Sequence, residues 1–324
     1  MGINWQKIWD DRGTEAWLLL PLALVYACGW LIYEAVYKFG IKKPVRPHAP
    51  VVCIGNLIVG GSGKTPLAIH VAGVIRKLGR DVVMSVNGYG SPRSAGATSA
   101  PTGELEPSEW GDEAAMIRNK LPDVPLIVGQ DRVRAAQICR DLYPDATLLL
   151  DDGFQHLPLA KDVTIVLDVP EYHNRFCLPS GPYREPRATG LMRADLTIPG
   201  KFTIGMESLT FYESDGSPAE IFGPINALCA LARPSRFVDT LEHHGNTVEE
   251  YKFFPDHDRL KSRKLLQDLN PMLPVVVTEK DWVKLKSRKI GEPWRIVIAS
   301  YEVQIEPAEE FRDWLKKRLN EATD

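Results

Sequence analysis

The chain has 324 residues, 44% of them hydrophobic and 25% charged, with a net charge of −3. That composition describes a folded protein with room for two ordinary domains, and it excludes the strong basic excess of a nucleic-acid binder. Cys28, Cys53, Cys139, Cys177 and Cys229 lack C-x-x-C spacing, which argues against a disulfide framework or a zinc site and for a reducing cytoplasm.

From Ala16 to Tyr33 no residue is charged, a run close to the ~20 residues a spanning helix needs. Pro21 and Gly29 interrupt it, and Asp10, Asp11 and Glu15 before it do not suit a signal peptide. Tyr26, Trp30, Glu34 and Lys38 recur at every fourth position, and Lys42, Lys43 and Arg46 follow. Such a stripe beside a basic cluster suits a helix lying in a membrane interface. A true span and a buried core helix are the alternatives.

Beyond the proline-marked connector Pro44–Pro50, strand Val51–Ile54 runs into Gly60-Gly61-Ser62-Gly63-Lys64-Thr65-Pro66, and a helix continues to Leu78. Strand, glycine-rich loop and helix in that order predict a nucleotide-phosphate site; a glycine-rich turn that resembles one by chance is the plain alternative. Backbone N–H groups and the helix N-terminus face the phosphates, Lys64 reaches the β/γ-phosphates, and the Thr65 hydroxyl suits Mg²⁺. The strict pattern G-x4-G-K-[ST] wants glycine where Ile58 stands.

Asp81–Val86 reads as a strand ending in Asn87-Gly88-Tyr89-Gly90, and Ser91–Pro107 as a mobile loop. A helix over Gly111–Leu121 opens with Asp112 and Glu113, where an aspartate is commonly just an N-cap. Strand Leu126–Val128, helix Asp131–Tyr143 and strand Thr147–Leu150 follow, the last delivering Asp151 and Asp152. Adjacent carboxylates repel unless a cation lies between them, so this strand end suits a divalent ion; an Asp-Gly turn is the plain alternative. Val163–Val169 is a further strand, and Arg184-Glu185-Pro186 offers a phosphate clamp with a metal-directed carboxylate, or only a salt bridge.

The βα alternation predicts an α/β fold, a P-loop NTPase-like, mostly parallel sheet with helices on both faces and ligands at the carboxyl ends of its strands. The pattern weakens between Lys201 and Gly223. The expected division is therefore a membrane-docking segment over 1–45, a P-loop domain over 46–222 and a smaller α/β domain over 223–324, whose last helix could pack back on the first domain. In the last segment Ala227–Ala232, Thr247–Phe253, Val275–Thr278 and Arg295–Ala299 read as strands, and Arg236–His243, Leu260–Leu269 and Glu309–Leu319 as helices. His257 stands between Asp256 and Asp258, which would stabilise its imidazolium.

Taken together, Gly55-Asn56 through Gly60–Pro66, Gly88-Tyr-Gly90, Gly111-Asp-Glu113, Val128–Arg132, Asp151–His156, Leu178–Gly181, Arg184–Pro186, Ala232–Pro234, Phe254–His257 and Thr278–Asp281 resemble the lipid A 4′-kinase (tetraacyldisaccharide 4′-kinase) family. The resemblance runs from about Val51 to Leu285, and the apolar N-terminal segment fits a family that docks on the cytoplasmic face of the bacterial inner membrane. It implies ATP and Mg²⁺ as cofactors and an acylated disaccharide-1-phosphate lipid as the acceptor, phosphorylated on its 4′-hydroxyl. It further implies Lys64 and Thr65 at the triphosphate, Asp151, Asp152 and Glu185 around the metal, and Asp112 as general base paired with His257. The chain departs from the family in having Val86-Asn87 where Ser-Arg is usual, which removes an anion contact, and Ala114 where proline is usual. A rival reading, a dimeric switch ATPase or GTPase, calls for lysine at position 59, where this chain has Val59.

Overall fold

A computed structural model describes residues 5–10, 12–168, 173–262, 264–288, 290 and 293–323. In chain order its elements are α1 (Trp5–Asp10), α2 (Thr14–Lys38), β1 (Val51–Asn56), α3 (Lys64–Lys77), β2 (Val82–Val86), β3 (Thr98–Ser99), α4 (Pro107–Trp110), α5 (Asp112–Lys120), β4 (Leu126–Val128), α6 (Arg132–Leu142), β5 (Thr147–Asp151) and β6 (Val163–Leu167). They continue with α7 (Arg187–Met192), β7 (Leu196–Ile198), β8 (Thr203–Glu213), β9 (Pro224–Cys229), α8 (Pro234–His243), β10 (Thr247–Phe253), β11 (Val275–Thr278), α9 (Glu279–Leu285), β12 (Ile296–Glu306) and α10 (Ala308–Glu321). Val169, expected in the strand that ends here at Leu167, lies outside the described residues.

The elements fall into two compact units interleaved along the chain: Met1–Ser85, Asp131–Ile204 and Ile305–Asp324 in the first, Val86–Gln130 and Gly205–Gln304 in the second. One crossing, at Ile204/Gly205, falls inside the stretch where the sequence pattern weakens; the others come without any break in composition. The C-terminal helix α10 belongs to the first unit, its Phe311 ring 5.6 Å from that of Phe202.

The first unit is built on parallel strands in the order β2-β5-β1-β6-β7. All residues of β1, β5 and β6 are buried, which is why these strands read as continuous apolar runs rather than alternating ones. β1 and β5 are direct neighbours, with Ile54 opposite Asp151, so the loop after β1 and the acid ending β5 emerge side by side.

Helix α2 is long and apolar enough to cross a membrane by length and composition, and it buries only Ala16 and Ala23. Three residues of its stripe are turned toward the protein while Lys38 is exposed: the Tyr26 hydroxyl donates to the Arg184 carbonyl (2.6 Å), and Trp30 and Glu34 lie against Arg193. Leu18, Leu22, Leu24, Val25 and Ile32 are instead more than half exposed. The helix is therefore not a buried core helix.

The second unit carries a five-stranded sheet in the order β10-β9-β11-β12-β8, and β3 pairs antiparallel with β4. Alternate residues of its central strands serve opposite faces. Leu228, Val275, Val277 and Ile298 pack on one side, and Ala227, Cys229, Val276 and Val297 on the other with Phe237 and Leu241 of α8. The helix expected over Leu260–Leu269 is absent among the described residues, which form turns over 264–268, with Leu260 and Asp268 at φ 50° and 71°. Leu260, Leu265 and Leu269 are nonetheless buried against the sheet. Leucine spacing there reflects a surface to be covered and not a helical period.

Candidate functional site

In the first unit, the left-handed turns that shape the loop after β1 are at Gly60 (φ 96°) and Gly63 (φ 83°), conformations an L side chain resists. Position 58 needs no glycine, because Ile58 is buried and bridges Tyr183 while Val59 N–H donates to the Pro182 carbonyl at 2.9 Å. Asn56 Nδ2 donates to Ser62 Oγ at 2.7 Å, closing the loop on itself before α3 begins at Lys64. The Thr65 hydroxyl donates to Asp151 Oδ2 at 2.8 Å, and Lys64 Nζ lies 3.8 Å from Asp152 Oδ1.

Asp152 holds an unusual backbone for a non-glycine residue, φ 59°, and its carboxylate accepts from Arg184 Nη1 at 2.8 and 3.1 Å. Burial works to raise its pKa, but Lys64 and Arg184 together outweigh burial and hold it below the usual range. Glu185 is placed differently. It is fully buried, accepts from Gln155 Nε2 at 2.9 Å and is paired with Arg193; burial pushes its carboxyl up against the pull of Arg193.

Thr65 and Asp151, in contact beside the glycine loop, supply the hard oxygen donors that Mg²⁺ prefers, so the residues present fit that ion. Among the described residues no group of three or more His, Cys, Asp or Glu side chains could hold a metal. Such an ion would rely on nucleotide phosphates and water for most of its shell.

The second unit gathers its own polar cluster. Gly111, at φ 91°, packs so closely on Gly88 that an added Cβ would meet that backbone at 3.3 Å, which brings the Gly88-Tyr-Gly90 and Gly111-Asp-Glu113 motifs together. Asp112 is the first residue of α5 and not its cap. Its Oδ1 accepts from Glu113 N–H (3.0 Å), leaving Oδ2 to face His257 Nδ1 at 3.2 Å. His257 is held at φ 61° with the Tyr89 ring 4.7 Å from its own. Burial opposes both charges, yet the hydrogen bond between them, with Lys280 and Lys284 near Asp112 and Asp256 near His257, holds the carboxyl below and the imidazole above its ordinary value.

Sequence reasoning left several supporting residues without a role. Arg132, almost wholly buried, donates to Ser85 Oγ (2.8 Å) and to the carbonyl of Asp151 (2.6 Å), fixing the end of β5. Lys280 and Lys284 lie on α9, a helix absent from the pattern reading although Thr278-Glu-Lys-Asp281 has the form of a capping box.

A parallel sheet with a glycine-rich loop, lysine and threonine after its central strand, and an aspartate at the neighbouring strand's end, defines a P-loop nucleotide-dependent phosphotransferase fold. A model of the tetraacyldisaccharide-1-P 4′-kinase family matches residues 15–320. The chain belongs to that family. A tetraacyldisaccharide 4′-kinase from Shewanella woodyi is 33% identical over 310 residues, covering 91% of this chain and 89% of the relative. Those from Aromatoleum aromaticum and Dechloromonas aromatica are 32% and 34% identical, with coverage of 93–94% of this chain and 94% of each relative. The fold is also that of LpxK from Aquifex aeolicus, whose crystal structure in complex with ATP covers 94% of this chain and 100% of its own at TM-score 0.77 and 24% identity.

Proposed function

We propose that the protein transfers the γ-phosphoryl group of ATP to the 4′-hydroxyl of a tetra-acylated glucosamine disaccharide-1-phosphate, a step of lipid A biosynthesis. The observation that carries this reading is the Thr65–Asp151 hydrogen bond beside the glycine loop, in a chain matched almost throughout by a family of such kinases. The 4′-oxygen attacks the γ-phosphorus, the bond to the β-bridging oxygen breaks, and the hydroxyl proton passes to Asp112 Oδ2. Lys64 leaves Asp152 to follow the β/γ-phosphates, and the loop N–H groups hold the triphosphate in line. Thr65 and Asp151 would hold Mg²⁺, with Asp152 as a further donor once Lys64 has moved, and Glu185 on exchange of its present partners. When bound, the ion neutralises charge on the phosphate oxygens. His257 orients Asp112 and keeps it ionised.

The direct test is transfer of labelled phosphate from ATP onto a disaccharide-1-phosphate lipid in mixed micelles. Acceptor-dependent labelling at the 4′-position is expected. Phosphate release at the same rate with and without lipid would favour the switch ATPase instead.

The exposed apolar face of α2 and the cations Lys42 and Lys43 after it support docking on an anionic membrane, as suits a lipid acceptor. Deleting residues 1–40 should release the protein from anionic liposomes, read by co-sedimentation. Equal partitioning of the full and truncated chains would remove α2 as the anchor.

A further inference from the structure

The Thr278-Glu-Lys-Asp281 stretch at the start of α9 has no part in the proposed transfer, yet Lys280 within it and Lys284 one turn on both face the carboxylate of Asp112. Thr278 caps α9, its Oγ1 accepting from Asp281 N–H at 3.1 Å. Asp281 is fully buried; its Oδ2 accepts from Thr278 Oγ1 at 2.7 Å and from Ala230 N–H at 3.1 Å, while Oδ1 lies 2.8 Å from Lys284 Nζ. That anchor leaves Lys284 Nζ 3.9 Å from Asp112 Oδ2. One turn earlier Lys280 Nζ reaches the same oxygen at 3.9 Å, steadied by Asp256 at 3.1 Å and Glu113 at 3.7 Å.

A plain reading would make these lysines ordinary partners of nearby acids. Three features argue for more. Their i, i+4 spacing puts both ammonium groups on one helix face, and both converge on a single carboxylate oxygen. That oxygen is the one facing His257. The lysine side chains are only 14% and 8% exposed, so their fields are weakly screened.

Resting on the reading of Asp112 as general base, we propose that Lys280 and Lys284 are positioning residues that keep its carboxylate anionic and oriented to accept the acceptor's proton. Charged groups around it are Glu113 on its own helix, His257 and Asp256 from the segment after β10, and Lys280, Asp281 and Lys284 on α9. Lys120 and Glu279, 3.0 Å apart, add a second link between α5 and α9, and the Tyr89 ring covers His257. Burial alone would favour the protonated acid, which cannot accept a proton. Asp112 is held below its usual range, so its anion is present at neutral pH and lost as pH falls through that lowered value. Removing a lysine raises the value and moves the loss to higher pH. Lys280 also bears on His257, lowering its pKa, which makes Lys284 the cleaner probe.

The test is the pH profile of kcat/KM for the lipid acceptor in parent, Lys284→Met, Lys284→Arg and Lys280→Met proteins, with Asp112→Ala alongside. Lys284→Met should carry the acid limb to higher pH and cost about tenfold on that limb, with KM for ATP unchanged. Lys284→Arg should keep the parent profile, and Lys280→Met should move the limb in the same direction. Unshifted limbs in both methionine variants, or a loss uniform across pH, would overturn the proposal while an inactive Asp112→Ala leaves the base in place. Parent-level activity of Asp112→Ala would instead remove the base itself. If Lys284→Met does not fold, as judged by its Tm, the Lys280→Met profile decides.

Discussion

Asp112→Ala should lower phosphotransfer by roughly 10²–10⁴-fold, the range a positioned general base contributes, while ATP binding stays near the parent level. The expectation follows from where the carboxylate is tied. One oxygen accepts from the start of α5, and the other meets His257 and two lysines, all within the second unit. The glycine loop and Lys64 belong to the first unit and keep their own contacts. His257→Ala should cost less, because in the proposed mechanism the histidine holds the base and does not itself take the proton. Turnover at fixed pH together with equilibrium nucleotide binding checks both. A histidine variant weaker than the aspartate variant would reverse these roles, and an Asp112→Ala protein as active as its parent would end them.

Lys64→Ala should lower turnover by about 10²–10³-fold, comparable to removing one preorganised donor from a developing charge, and should also weaken ATP binding. Two effects combine. The γ-phosphoryl group loses a cation in its path, and Asp152 keeps only Arg184 of its two cationic partners. Asp152 is nearly buried, so its carboxyl should rise toward the ordinary range when Lys64 is gone. Lys64→Arg is not a safe replacement, since a planar guanidinium differs in shape and hydration from a compact ammonium. Steady-state kinetics in ATP, with calorimetric binding, separates the losses. Parent-level turnover of Lys64→Ala would place the phosphates elsewhere.

Much of the first unit was legible because its signals are local. Val51–Ile54, the residues after Asp81 up to Val86, and Thr147–Leu150 are short apolar runs bounded by turns, and each lies in a buried strand in the structure. The second unit was harder to read. β8 mixes exposed and half-buried residues over 11 positions, with only Leu209 buried, so it lacks the apolar run that marks a buried strand. α9 is a seven-residue helix announced only by its capping box. Over Leu260–Leu269 the leucines repeat as in a helix, but the neighbouring sheet accepts them from turns just as well.

By itself the sequence determined the strand, glycine loop and helix order, with Lys64 and Thr65 at the helix start and Asp151 at a strand end, because each depends on neighbours within a few residues. Only the tertiary structure decided that His257 meets Asp112 across 145 positions, that α9 aims two lysines at the same oxygen, and that Arg132 braces Asp151. Those contacts are made by side chains far apart in sequence, whose burial and charge acquire meaning only once the sheet has brought them together. No local spacing encodes them.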